Sequence, residues 1–335
     1  MFVRVFSIVL ALWPLVLAGM VLCGLLWQGA WIWAALALLS FGIFASNRPS
    51  SIGANKSLAG FVLITTSLLH FPIFFLAVLR IGEPQGLGAG ILALIAAGLF
   101  AGQVSNAGAH ELIHARARGR FWLGVAIFCS HLFGHHASAH RLVHHVHVAT
   151  AKDPNSAPRG MGLYRFLHRA WAGSFRDGMA AEAARAQRMG MPAIYWQYGA
   201  LSLALLGISF ALAGPSGVFA HILLAGYATM QLLTVDYVQH YGLRRVVDAA
   251  GKPEAFGPSH SWDAPGIFSA AMGFNASRHG EHHQRPATPF EALEPSAPSM
   301  MLPYSLPVMG FIAFFPRWWR RVMAGPLARV ATKVP

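Results

Sequence analysis

A chain of 335 residues that is 55% hydrophobic and only 11% charged falls far below the roughly 25% charged residues of soluble domains, which excludes an ordinary water-soluble globule and makes lipid part of its solvent. The formal charge of +13 suits anionic lipid headgroups or an acidic partner protein. Nucleic acid fits poorly, because the basic residues flank apolar segments rather than form a recognition module.

Six segments approach the about 20 apolar residues that cross a bilayer core: 5–26, 31–45, 58–79, 87–104, 195–213 and 218–238. The first is too long for a signal-peptide core and lacks a small-residue cleavage site, so it is expected to be retained. Segments one and two read as a helical hairpin, as do three and four, with the polar loop 47–56 between them. The fourth has a thin face of Gly and Ala, which serves either close helix packing or the passage of a long apolar substrate. A seventh apolar stretch, 121–133, is short and reads as buried or interfacial. Residues 141–191 are rich in Arg and Ala with Gly, Pro and Asn breakers, and read as an insert of loops and short helices. In the Pro- and Gly-punctuated region 241–335, the run Arg317-Trp318-Trp319-Arg320-Arg321 reads as an interfacial anchor.

The expected fold is therefore one all-α integral-membrane unit, 1–335, with about six transmembrane helices. Of 25 Lys and Arg, only Arg80 falls at a connection on the outer side. By the positive-inside rule both termini, the insert 141–191 and the region 241–335 are expected in the cytoplasm. Cys23 and Cys129 lie in apolar runs and read as inert thiols. No C-x-x-C is present, so any electrons must come from a separate protein.

Histidines carry the chemistry. They read His110-Glu-Leu-Ile-His114, His140-Arg-Leu-Val-His144-His145, a lone His240 before Tyr241-Gly242, and His279-Gly-Glu-His282-His283. Imidazole binds iron, zinc, copper and nickel. Spacings of i, i+3 and i, i+4 put each group's rings on one helix face, aimed at one point. One zinc takes three or four protein ligands, so nine clustered histidines imply more than one metal. His70, His168, His221 and His260 stand alone and read as hydrogen-bonded packing residues. His-Glu-x-x-His at 110–114 also matches a zinc metalloprotease motif with Glu111 as base, but that site leaves seven clustered histidines without a role. A membrane metal transporter would instead place its ligands and charges at the bilayer midplane, whereas these clusters lie at span ends.

The boxes H-x-x-x-H, H-x-x-x-H-H and H-x-x-H-H, with His240-Tyr241-Gly242-Leu243, Gly134-His135, Asp153-Pro154, Arg278-His279, Leu302-Pro303 and the 315–323 tail, resemble the integral-membrane diiron hydroxylases and desaturases. Within that group the chain is similar to the membrane-bound alkane 1-monooxygenases, with xylene monooxygenase hydroxylase subunits as near relatives. The resemblance covers about residues 100–325. The second box is one residue longer than is usual in acyl-CoA desaturases. The resemblance implies two non-haem iron ions held by His110, His114, His140, His144, His145, His240, His279, His282 and His283. It leaves His131, His135, His136 and His147 outside the ligand set, which spacing alone does not do. It further implies hydroxylation by O₂ of an unactivated C–H bond, a terminal methyl of an alkane or similar apolar chain, with electrons from rubredoxin and its reductase. A fatty-acyl, carotenoid or aromatic-methyl hydroxylase or desaturase is the alternative, and the bacterial inner membrane is the expected location.

The chain departs from the family pattern at Ala139 and Gln239, where Glu is usual, and at Asp236, where Asn is common. Nine neutral imidazoles bring no negative charge to two cations, which is costly in a dry site. Glu111, Asp153, Asp236 and Glu281 are the carboxylates expected to stand behind the ligands.

Overall fold

The structure, a computed structural model, describes residues 2–44, 56–82, 86–295 and 300–331. The expected loop 47–56 falls almost wholly outside the described residues. Among the described residues the protein is all-α, its only β pairing being isolated bridges. Four helices are long and apolar enough to cross a membrane: Ser7–Trp27, Lys56–Gly82, Leu87–Ile113 and Tyr195–His240, beside a shorter apolar helix Gly29–Ser40. The chain is a multi-pass membrane protein.

Helices α1 (Phe2–Trp27) and α2 (Gly29–Phe44) form the first hairpin, and Arg80 reaches across from α3 (Lys56–Gly82). Its Nε donates to Leu25 O at 2.8 Å and its Nη2 to Leu26 O at 3.1 Å, satisfying carbonyls that the end of α1 leaves unpaired. Helix α4 (Leu87–Ile113) carries a π turn at Ala101–Ser105. Its thin face is used for packing: a Cβ on Gly98 would lie 2.1 Å from Tyr227, and one on Gly102 2.2 Å from Gln231. Gly102 also borders a cavity described below.

The stretch 121–133 becomes α5 (Arg118–Ser130), whose Val125, Ile127, Phe128 and Cys129 are buried. The reading of 141–191 is corrected. Residues 136–147 form one irregular helix, α6, and Leu163–Met189 is a single 27-residue helix, α7. The true breakers cluster before α7. Within it, Gly173 and Gly178 are contact points, since a Cβ there would meet Pro154 at 2.4 Å and the Tyr195 hydroxyl at 2.4 Å. The Ala-rich second half favours helix intrinsically, and Gly190, at φ 62°, ends it.

Helix α8 (Tyr195–His240) reverses direction at Ala213–Gly214, where Gly214 takes φ 59°. Ser209 Oγ then lies 2.7 Å from His221 Nδ1, although twelve residues of straight helix would span about 18 Å. The two arms are the fifth and sixth segments expected from the sequence. The remaining helices are α9 (Ile267–Met272), α10 (His279–Gln284), α11 (Leu306–Ala313) and α12 (Pro316–Ala331). The Arg/Trp run is only half an interfacial anchor. Trp318 is exposed, but Trp319 is buried, 5.2 Å from the rings of both Tyr237 and Tyr241.

Candidate metal centre

Four chain segments converge on one place: the end of α4, the middle of α6, the end of α8 and α10. Each stops or bends there with histidines facing inward. They form two groups within which all the candidate ligand atoms lie within 4.8 Å of one another: His110, His114, His140, His145 and His282 in one, His144, His240, His279 and His283 in the other. All nine clustered histidines are thereby brought together.

The expectation that each box aims at one point is corrected. Only His110 and His114 stay in one group. The second box sends His140 and His145 to the first group and His144 to the second, and the third box sends His282 to the first and His279 and His283 to the second. A π turn at His140–His144 makes the division in α6. The His145 N–H bonds to His140 O, an i→i+5 pairing, and this brings the two rings onto one face with their Nε2 atoms 2.9 Å apart. On a regular α-helix, residues five apart point about 140° away from each other.

The spacing of the nitrogens fits metal ions. His110 Nε2 lies 2.8 Å from His140 Nε2, and His282 Nε2 lies 3.2 Å from His145 Nε2. In the other group His279 Nε2 is 3.1 Å from His240 Nε2 and 3.0 Å from His283 Nε2. Two nitrogens bound at right angles to one ion at about 2.1 Å are about 3.0 Å apart. His114 Nε2 and His144 Nε2 are buried without a hydrogen-bond partner, as metal-directed lone pairs would be. Burial and mutual repulsion hold His114, His140, His145, His279, His282 and His283 well below the ordinary imidazole pKa. They are neutral, the form that binds metal.

His144 differs. Burial disfavours its charged form, but the Asp153 carboxylate outweighs this and raises its pKa. Asp153 Oδ2 accepts from His144 Nδ1 at 2.9 Å and from the Ser156 hydroxyl at 2.6 Å, while Oδ1 accepts the Asn155 N–H. Burial works against the Asp153 anion, yet His144 and these donors hold its carboxyl below the usual range. With Nδ1–H committed to Asp153, the His144 lone pair sits on Nε2 and faces its group. Asn155 Nδ2 in turn donates to Asp236 Oδ2 at 2.6 Å, and Ser174 donates to Asn155 Oδ1.

Of the four carboxylates expected behind the ligands, Asp153 thus touches one directly and Asp236 is linked to it through Asn155. Glu111 accepts the Phe290 N–H at 3.3 Å, and Glu281 pairs with Arg285 and the Glu294 N–H. The sequence reading missed Asn155 and Ser156, which a turn-forming Asp-Pro-Asn-Ser could have flagged. It also missed the buried Asp263, whose Oδ1 accepts the Gly280 N–H at 2.9 Å at the start of α10; a lone Asp gives no signal.

The other histidines fall outside both groups. His131 Nδ1 pairs with Asn106 Oδ1, His135 packs beside Trp171 and Phe175, and His136 stacks on Phe133. His70 lies between the hydroxyls of Ser105 and Ser130, His221 joins Ser209 to Ser130 O, and His260 pairs with Glu254. His168 is exposed. Both cysteines are free, and Cys129 is buried.

A cavity of about 340 Å³ opens beside the centre, walled chiefly by apolar side chains such as Leu99, Met230 and Phe311, with His110 and His279 at its boundary. One histidine of each group therefore borders the same apolar space.

The fatty acid desaturase family profile matches residues 86–304. The chain is 30% identical to an alkane 1-monooxygenase of Ectopseudomonas oleovorans over 91% of its own length and 77% of the relative's. It is 32% identical to alkane 1-monooxygenase 1 of Pseudomonas aeruginosa, over 69% of this chain and 62% of that one. The hydroxylase component of a Pseudomonas putida xylene/toluene monooxygenase is 28% identical over 92% of this chain and 86% of that protein. A paired-histidine centre carried on membrane helices, matched along most of the chain, places this protein in the membrane-bound alkane 1-monooxygenase family of oxidoreductases, within the fatty acid desaturase family.

Proposed function

We propose that this protein is a diiron monooxygenase that uses O₂ to hydroxylate an unactivated C–H bond, a terminal methyl of an alkane or similar apolar chain. The observation that carries this reading is the placing of His110 and His279, from different histidine groups, on one apolar cavity. His110, His114, His140, His145 and His282 would hold one iron ion, and His144, His240, His279 and His283 the other. When bound, the iron pair supplies the oxygen chemistry that no protein side chain can perform. The protein's own part is to bury and aim nine imidazoles, to set the His144 tautomer through Asp153, and to hold the substrate in an apolar space. Rubredoxin, with its reductase, is the proposed electron donor, meeting a basic cytoplasmic face. The six-span topology, with both termini in the cytoplasm and the whole unit in a bacterial inner membrane, belongs to the same proposal.

An aromatic methyl group is the second reading, favoured by the high mutual coverage with the xylene/toluene monooxygenase component. The experiment is product analysis by mass spectrometry on cells expressing the protein and fed n-alkanes, fatty acids and xylene in parallel, with elemental analysis of the purified protein. Terminal alcohols from alkanes and two irons per chain are expected. One zinc and no iron would overturn the proposal.

A further inference from the structure

The cavity beside the histidine groups is apolar almost throughout, yet polar atoms with no hydrogen-bond partner cluster on part of its wall. Gln239 and Ser277 both line it, both are at least 97% buried, and neither Gln239 Oε1 nor Ser277 Oγ has a partner. The orientation of the Gln239 amide is settled by chemistry. One end of it lies 2.9 Å from Ala276 O, a carbonyl that can only accept, so this end is the Nε2 donor. Oε1 is left as an acceptor with nothing to accept. Ser277 adds a hydroxyl that can donate or accept. The Asp236 carboxylate also borders the cavity, with its Oδ2 engaged by Asn155. A buried acceptor without a donor costs stability comparable to a lost hydrogen bond, so an occupant that carries an O–H gains a partner on this part of the wall that an alkane does not.

Sequence adjacency places this polar patch at the metal end. Gln239 immediately precedes His240, Ser277 stands two residues before His279, and Asp236 one helical turn before His240. An occupant reaching the histidines along the apolar wall would have its terminal carbon here. Resting on the hydroxylase reading above, we infer that Gln239 Oε1 and Ser277 Oγ form a hydroxyl-binding subsite that takes a primary alcohol on a long apolar chain. The alcohol O–H donates to Gln239 Oε1, its oxygen accepts from Ser277, and the chain lies along Met230 and Phe311. A terminal alcohol is thereby a better ligand than the alkane from which it derives, and the subsite governs how readily it leaves.

The test is equilibrium binding of radiolabelled 1-decanol and n-decane to the iron-loaded, purified protein, corrected for micelle uptake with protein-free blanks. Gln239→Leu and Ser277→Ala should each weaken 1-decanol binding by about fivefold, the equivalent of one net hydrogen bond, and shift n-decane binding by less than about twofold. Ser277→Ala removes one small oxygen and keeps the inference testable where Gln239→Leu does not fold. Unchanged 1-decanol affinity in Ser277→Ala, or equal losses for both ligands as expected if the wall only holds a water molecule, would overturn it. Failure of the hydroxylase reading itself shows separately, as absence of any product from n-decane in the wild-type protein.

Discussion

Asp153 is the carboxylate that acts most directly on the centre, through His144. It is fully buried and bound to His144 Nδ1, to the Ser156 hydroxyl and to the Asn155 N–H. Replacing it by Asn keeps the shape but removes the only carboxylate in direct contact with one of the nine clustered histidines among the described residues. Carboxylates behind metal-bound histidines are worth roughly 10- to 100-fold in metal affinity. Asp153→Asn is therefore expected to lose iron to a competing chelator about tenfold more readily, measured as iron content against chelator concentration. A second pair of substitutions separates binding from packing. His240→Ala should leave a folded, membrane-inserted protein that has lost iron and nearly all hydroxylation. His221→Ala should keep its iron but unfold more easily, because it breaks the contacts to Ser209 and Ser130 that join the arms of α8 to α5. That cost is about 1–3 kcal/mol, and a melting curve in detergent beside iron analysis distinguishes the two. An iron-replete, active His240→Ala protein would show that the ligand set is wrong.

At the scale of the element, the π turn of α6 explains a spacing. The box at 279–283 pairs its first and last histidines at i, i+4 on an ordinary turn, with Nε2 atoms 3.0 Å apart. The box at 140–145 has one residue more, and the wider π turn absorbs it, pairing His140 with His145 at 2.9 Å. Deleting Leu142 should relax the π turn to α and bring these two histidines to i, i+4, still on one face. That variant is expected to retain more than about half its iron, since the register of the flanking turns is preserved. Inserting Ala after Leu142 rotates one side by about 100° relative to the other and should abolish iron binding. If iron analysis gave the opposite order, the π turn would not be the element that divides the box.

For the whole molecule the governing quantities are the +13 charge and the dry centre. On the proposed function, a chain with two free cysteines and no C-x-x-C takes its electrons from another protein. Encounter with an acidic donor is steered by charge over a screening length of about 8 Å at physiological salt and about 3 Å at 1 M. Donor-dependent turnover should accordingly fall several-fold between 50 mM and 500 mM salt through the apparent donor KM, with maximal turnover little changed. A KM for the donor independent of salt would contradict a charge-steered partner.

Much of this was legible along the chain. Long apolar runs with few charges have one stable form in lipid, because a helix satisfies its own backbone, and the all-α membrane fold followed from composition. Histidines three and four residues apart must share a helix face, so the clusters stood out locally. The resemblance drawn from their spacing agrees with the family match over 86–304. What lay beyond the sequence is what depends on contacts between distant segments. The single long helix Leu163–Met189 was obscured by glycines that serve as contact points against Pro154 and Tyr195. Trp319, in a basic run that looks interfacial, is buried against Tyr237 and Tyr241. The division of the nine histidines into two groups was decided only by tertiary structure. It requires α4, α6, α8 and α10 to meet, and it requires a π turn that no local propensity announces, since the cost of that turn is met by the packing around it. Sequence periodicity specifies which side chains share a face; which faces meet, and around what, is set by the fold.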